Sequence, residues 1–110
     1  MTVSKLQEKC SFEAICLCEP EREVKGGYCG DLLSWVMGRA KEGDAWITIM
    51  SNINVLAVAS LADVSCVIFA EGVTPEADVI ETAKEKGVNL LSSKLPIFET
   101  AVLLSENKNE

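Results

Sequence analysis

The chain has 110 residues, the common size of one domain, and 48% of them are hydrophobic while 25% are charged. This length is sufficient for one hydrophobic core but not for two. A formal net charge of -7 without a basic cluster argues against nucleic-acid binding. The sequence contains no histidine, which excludes Ser-His-Asp and Cys-His catalysis and any zinc site that needs histidine.

The N-terminal and apolar segments bear on localisation. Lys5, Glu8 and Lys9 interrupt any N-terminal apolar stretch that could act as a signal peptide. The most apolar region, residues 53–70, contains polar side chains and is not expected to span a membrane. Five cysteines without an export signal suggest reduced thiols. We therefore expect a cytoplasmic protein that has no membrane partner.

The first part of the chain predicts two helices, a strand and a glycine loop. Thr2 is suited to cap a helix over residues 3–9, and residues 12–18 have the pattern of a strand. Three glycines within residues 26–30 predict a tight loop, after which Asp31 is expected to cap the next helix. That helix is apolar around much of its circumference, so we expect it to be deeply buried or to form an interface.

The second part of the chain alternates strands and helices. The strands are predicted at residues 45–50, 64–70 and 88–91, and the helices at residues 55–62, 75–86 and 95–104. This alternation favours a mostly parallel or mixed sheet flanked by helices, to which the first strand or the first two strands add an antiparallel edge. We expect one α/β domain over residues 1–104 and a flexible C-terminal tail over residues 105–110. Trp35 and Trp46 are expected to anchor the core or an interface.

Candidate ligand-binding residues lie where the strands are predicted to end. Open α/β sheets bind ligands at the carboxyl ends of their parallel strands. The candidates are Asp31, Thr48, Asn52, Asn54 and Gly72. Asp31 places a carboxylate where an anion would sit, which favours a simple capped turn there. Asn52 and Asn54 could equally satisfy the turn and cap the following helix.

The cysteines are a separate candidate site. Cys10, Cys16 and Cys18 could together offer three thiolates to a metal or to redox chemistry. Cys16 and Cys18 would lie on one face of a strand, roughly 7 Å apart, which is too far for an easy disulfide. Buried free cysteine usually acts as a small hydrophobic side chain. We therefore expect no bound metal and no cofactor.

Four segments of the chain carry a family resemblance. They are V-K-G-G-Y-C-G-D-L-L-S at 24–34, W-I-T-I at 46–49, N-V-L-A-V-A at 54–59 and K-L-P-I-F-E at 94–99. Their order and spacing resemble DRTGG-domain proteins across nearly the whole chain. The resemblance implies an α/β domain similar to the N-terminal domain of HPr kinase/phosphorylase, of a kind often appended to enzymes or to nucleotide-sensing CBS pairs. It also implies a regulatory or dimerising role.

The chain departs from the motif that gives the family its name. Ser51-Asn52-Ile53 stands where members have Gly-Asp-Arg, and Ala70-Glu71-Gly72 corresponds to the Thr-Gly-Gly-like stretch. No phosphate-binding lysine loop is present, so kinase activity is not expected. We predict a non-enzymatic regulatory or dimerisation module that forms a homodimer and binds a protein partner or a small molecule. The alternatives are a sensor of nucleotide-like ligands or acyl phosphates, and a thiol-based metal or redox accessory protein.

Overall fold

A computed structural model describes residues 1–108, within which the chain forms five strands and five helices. The strands are β1 (Glu13–Cys16), β2 (Gly26–Cys29), β3 (Asp44–Thr48), β4 (Cys66–Phe69) and β5 (Leu90–Ser92). The helices are α1 (Val3–Cys10), α2 (Leu33–Arg39), α3 (Asn54–Ala62), α4 (Ala77–Lys86) and α5 (Ile97–Asn107). No helix in this part of the chain is long and apolar enough to cross a membrane.

The strands form one mixed sheet in the order β1-β5-β4-β3-β2. Strands β2 to β5 are parallel and follow one another across the sheet, while β1 pairs with β5 in the antiparallel sense at the edge. Each parallel neighbour is reached through one helix, as expected for strand–helix–strand crossovers. The predicted single α/β domain with an antiparallel edge is therefore confirmed.

Helices cover both faces of the sheet. Helices α2, α3 and α4 pack on one face, and α1 and α5 pack on the other. Successive side chains of β3 point to opposite faces, so Trp46 lies in the core beneath α2–α4, whereas Ala45 and Ile47 lie in the core beneath α1 and α5. Because both faces are covered, every residue of β3 and β4 is buried.

The glycine-rich segment is a strand and not the predicted loop. A Cβ atom on Gly27 would lie 2.6 Å from Cδ2 of Leu104 in α5, and a Cβ atom on Gly26 would lie 2.9 Å from Oδ1 of Asp44. The glycines therefore allow a helix and a neighbouring side chain to approach the backbone of β2 closely. The prediction was wrong because glycine serves close approach in a strand as readily as it serves a turn.

Helix α2 is not deeply buried, so the interface alternative for it stays a prediction. Only Val36 is buried in α2, and Trp35 is 52% exposed, so this helix lies on the surface and Trp35 is not part of the core. Helix α5 continues to Asn107, so the first three residues of the predicted tail are helical. Asn107 Nδ2 donates to the carbonyl of Leu103 at 2.9 Å, which satisfies a carbonyl in the last turn. Residues 109–110 lie outside the described part.

Two phenylalanines test this assignment of core and surface. Phe69 is fully buried in β4, whereas Phe98 is 74% exposed on α5. We expect Phe69→Ala to lower the free energy of unfolding by about 3–5 kcal/mol, because it leaves a cavity beneath α2–α4. The same change at Phe98 should stay within about 0.5 kcal/mol of the wild type. Urea unfolding followed by circular dichroism measures both, and equal losses would contradict the assignment.

Candidate functional site

The carboxyl ends of β2 and β3 are joined by Asp31 and Thr48. The hydroxyl of Thr48 donates to Oδ1 of Asp31 at 2.7 Å, and the backbone N–H of Ile49 donates to the same oxygen at 2.9 Å. Thr48 is fully buried, and its hydroxyl also accepts from the N–H of Met50 at 3.1 Å. The carboxylate therefore fixes the backbone that leaves β3.

Asp31 is not the cap of α2. The N-cap position belongs to Leu32, which makes no side-chain capping hydrogen bond. Gly30 holds Asp31 against β3, because its N–H donates to the carbonyl of Ile47 at 3.1 Å and its carbonyl accepts from Nε1 of Trp46 at 2.9 Å. The capping prediction was wrong because the carboxylate finds donors on the neighbouring strand, which a sequence does not show to be adjacent.

Asn52 and Asn54 shape the turn before α3. The side-chain Oδ1 of Asn52 accepts from the N–H of Asn54 at 2.9 Å, which is the geometry of an Asx turn. Both residues are exposed. The structure therefore gives Asn52 the turn role that the sequence allowed. The side chain of Asn54 lies on the surface, near the carboxyl end of β3. We call the edge of the sheet where β2, β3 and β4 end the rim.

Gly72 lies at the end of β4 and joins that strand to the next connection. Glu71 and Gly72 both have positive φ angles, of 60° and 72°. The N–H of Gly72 donates to the carbonyl of Ser93 at 2.9 Å, and the N–H of Glu71 donates to that of Leu95 at 2.8 Å. The Glu71 carboxylate accepts from the N–H of Ile97 at 3.1 Å, at the start of α5. These hydrogen bonds tie the β4–α4 connection to the β5–α5 connection.

The topological switch of this sheet lies at the carboxyl ends of β4 and β5. The chain leaves β4 for α4 on one face and leaves β5 for α5 on the other. Such a divergence is where open α/β sheets form a crevice for ligands. The structure therefore brings Asp31 and Thr48 into contact, places Asn52 and Asn54 in the next turn, and ties Gly72 to the β5–α5 connection instead.

A cavity of about 400 Å³ lies beside this switch, between the α1–β1 connection and the end of β5. It is lined by Cys10, Ser11, Phe12, Glu13, Ser92, Ser93, Lys94 and Leu95. Its volume is within the range of small-ligand sites. The sequence did not indicate this cavity, because the antiparallel pairing of β1 with β5 brings together residues that are about 80 positions apart.

The predicted group of three thiols is divided by the sheet. Cys10 lies in the core beneath α1 and α5, whereas Cys16 lies in the core on the opposite face, with Cys18 packed against it. Among residues 1–108, no three cysteine or acidic side chains are placed to hold a metal ion. The sulfur atoms of Cys16 and Cys18 are 2.9 Å apart and not the expected 7 Å, because β1 ends at Cys16.

Large apolar side chains are exposed on and around α2 and α3. They are Leu32, Trp35, Met37, Ile49, Ile53 and Leu61, with Leu61 the most exposed at 71%. Residues 45–62 carry no charged side chain, although a quarter of the chain is charged. In α2 the charge is that of Arg39, whose guanidinium lies over the ring of Trp35 at 3.7 Å. We call the surface formed by these side chains the α2–α3 face; neither helix carries an acidic side chain.

The fold and this site define a small α/β domain of five strands with helices on both faces. The family model of the DRTGG domain matches residues 21–107. The chain therefore belongs to the DRTGG domain family. No curated protein matches it.

One solved structure gives the fold a counterpart. It is the crystal structure of the CBS and DRTGG domains of the regulatory region of Clostridium perfringens pyrophosphatase, complexed with the activator diadenosine tetraphosphate. The TM-score is 0.73 at 21% sequence identity, and the match covers 94% of this chain and 45% of that one. This chain therefore spans less than half the length of that structure, and the likeness concerns the fold.

The tie between β2 and β3 can be tested at Asp31. Replacing it with alanine leaves the Thr48 hydroxyl and the Ile49 N–H without their acceptor, so Asp31→Ala should lower the free energy of unfolding by about 1–3 kcal/mol. Asp31→Asn keeps one carbonyl oxygen as an acceptor and should lower the free energy of unfolding by less. Urea unfolding at neutral pH gives both values. A loss below about 0.5 kcal/mol for the alanine variant would refute the structural role.

Proposed function

We propose that this chain is a non-enzymatic, cytoplasmic regulatory module whose domain self-associates as a homodimer. The observation that carries the proposal is the α2–α3 face, where large apolar side chains are exposed on helices that carry no acidic residue. Monomeric proteins rarely expose such surfaces over a contiguous area, and they usually mark an interaction site. The position of a DRTGG domain in the regulatory region of the clostridial pyrophosphatase supports the regulatory part.

A second copy of the chain is the partner that the charge distribution favours. The whole chain has a net charge of -7, so two copies repel each other on average. The α2–α3 face avoids this repulsion because it lacks acidic groups, and its cation, Arg39, is engaged with Trp35. Burial of exposed tryptophan and leucine side chains is the usual energetic centre of an interface. Two copies joined through this face keep their acidic surfaces apart.

Self-association through the α2–α3 face predicts a concentration-dependent dimer. Sedimentation velocity from 1 to about 100 μM should show the wild type shifting from monomer to dimer. Leu61→Glu places a charge on the face and should weaken the dimer by at least about tenfold, because a buried unpaired carboxylate costs more than 1.4 kcal/mol.

The matched control is Phe98→Glu. Phe98 is as exposed as Leu61, at 74%, but it lies on α5 on the other side of the sheet. This variant should dimerise like the wild type. A monomeric wild type at every concentration refutes the proposal, and loss of the dimer in Phe98→Glu alone would move the interface to α5.

A small-ligand sensor is the second candidate. It is favoured by two observations, the cavity of about 400 Å³ between the α1–β1 connection and the end of β5 and the activator bound in the pyrophosphatase structure. Lys94 is exposed and lines the cavity, where its ammonium group would attract an anionic ligand such as a nucleotide or an acyl phosphate. The rim with Asn52 and Asn54 is the other place where such a ligand would find polar contacts.

The sensor candidate predicts a thermal shift with nucleotides. Diadenosine tetraphosphate, ATP, AMP and acetyl phosphate at 1 mM should be tested, and a ligand at 100 times its Kd stabilises the fold by about 2.7 kcal/mol. Lys94→Ala should abolish the shift if the cavity binds, Asn54→Ala if the rim binds, and Lys86→Ala, at the opposite end of the sheet, should leave it unchanged. No shift with any of these compounds would exclude the candidate for them.

A further inference from the structure

Cys16 and Cys18 have their sulfur atoms 2.9 Å apart at the edge of the sheet. Two residues in a regular strand would hold these side chains roughly 7 Å apart. A bulge precedes the pair, because Ala14 and Cys16 oppose neighbouring residues of β5. The strand then ends at Cys16 and the backbone bends at Cys18. The thiols meet because the chain leaves strand geometry at this point.

The surroundings of the two thiols differ. Cys16 is only 7% exposed and lies in the core beneath α4, whereas Cys18 is partly exposed. The Cys18 thiol also donates to the carbonyl of Ala83 in α4 at 3.7 Å. Cys18 is thus the more exposed residue of the pair, and Cys16 lies on its buried side.

The backbone next to the pair is firmly held. The N–H of Glu19 donates to Oδ1 of Asn89 at 2.8 Å, and Nδ2 of Asn89 donates to the carbonyl of Glu19 at 2.8 Å. The same Nδ2 also donates to the carbonyl of Ser65 at 3.0 Å. This buried amide fixes the position of Cys18 relative to β4 and β5, so the short distance between the sulfur atoms belongs to an anchored segment.

We propose that Cys16 and Cys18 form a reversible dithiol–disulfide site that hydrogen peroxide oxidises within the folded chain. A disulfide bond is about 2.05 Å long, so the two sulfur atoms need to approach by only about 1 Å. Cys10 and Cys66 cannot form a disulfide with either cysteine of this pair, because they lie in the core on the opposite face of the sheet. The site is independent of the α2–α3 face and of the cavity near Lys94.

The more exposed cysteine reacts first. The Cys18 thiol releases its proton and its sulfur attacks one oxygen of the peroxide; the O–O bond breaks, and the departing hydroxide takes up the released proton and leaves as water. The Cys16 sulfur then attacks the sulfur of the Cys18 sulfenic acid, and its proton leaves with the hydroxyl as a second water. One peroxide and two thiols thus give one disulfide and two waters.

The order of reaction agrees with the acidity of the buried thiol. Burial, together with the hydrogen bond to Cys18, raises the pKa of Cys16 to about 11, against an opposing effect of Lys84. Cys16 therefore stays protonated at neutral pH and is the poorer nucleophile toward peroxide, so Cys18 reacts first. In the second step Cys16 loses its proton as its sulfur bonds to that of Cys18. The disulfide closes a ring with only Leu17 between the cysteines and stiffens the start of the β1–β2 connection.

Peptide mapping tests the proposal on the full chain. The reduced protein is treated with a small excess of hydrogen peroxide, unfolded under alkylating conditions, and cleaved after Phe12 and Arg22, which separates Cys10 from the pair. We expect the peptide with Cys16 and Cys18 to carry no alkyl group and to be two hydrogen atoms lighter than the unalkylated, reduced peptide. The free thiols should fall from five to three, because one disulfide consumes two of the five cysteines. A dithiol reductant should restore all of them.

Serine variants separate this site from other oxidation. Cys29 is exposed and is the cysteine best placed for a disulfide between chains, so Cys29→Ser should retain the lighter peptide. Cys18→Ser should lose it, and Cys16→Ser should lose it too, with circular dichroism checking that each variant folds. The proposal is overturned if the wild type forms only disulfides between chains, or if Cys18 gains oxygen atoms without forming the ring.

Discussion

Burial of the central strands on both faces is the constraint on which the rest of this structure depends. Strands β3 and β4 carry no exposed residue, so both faces of the sheet need a helical layer. The crossovers between parallel strands have one hand and place α2, α3 and α4 on a single face. The other face can then be covered only by segments outside the crossovers, which are α1 at the start and α5 at the end.

The distribution of the helices over the two faces of the sheet also determines where a site can form. A sheet wound in one direction has no crevice among β2, β3 and β4, because all their connections leave toward the same face. Within the described residues, the change of face after β5 creates one switch, between β4 and β5, and the cavity lined by Lys94 lies on the other side of β5, next to β1. Polar groups along the remaining rim, such as Asp31 and Thr48, bond to each other and serve the fold.

The same arrangement explains the exposed apolar surface. Helix α2 is short and buries only Val36 fully, and its Trp35 and Met37 side chains are about half exposed. The sequence therefore contains more apolar helix surface than one sheet face can cover, and the excess is concentrated on the α2–α3 face. An interaction partner is the usual reason for such an excess in a chain of this size, and this is the physical basis of the proposed dimer.

The sequence by itself determined the strand and helix alternation of the second half and the mostly parallel or mixed sheet, because hydrophobic periodicity and chain order are local properties. It did not determine the strand at Gly26–Cys29, the acceptor role of Asp31 or the contact between Cys16 and Cys18. Each of these depends on which segments become neighbours: Leu104 against Gly27, β3 beside β2, and α4 over the end of β1. Only the tertiary structure decides such contacts, since they join residues that no local pattern links.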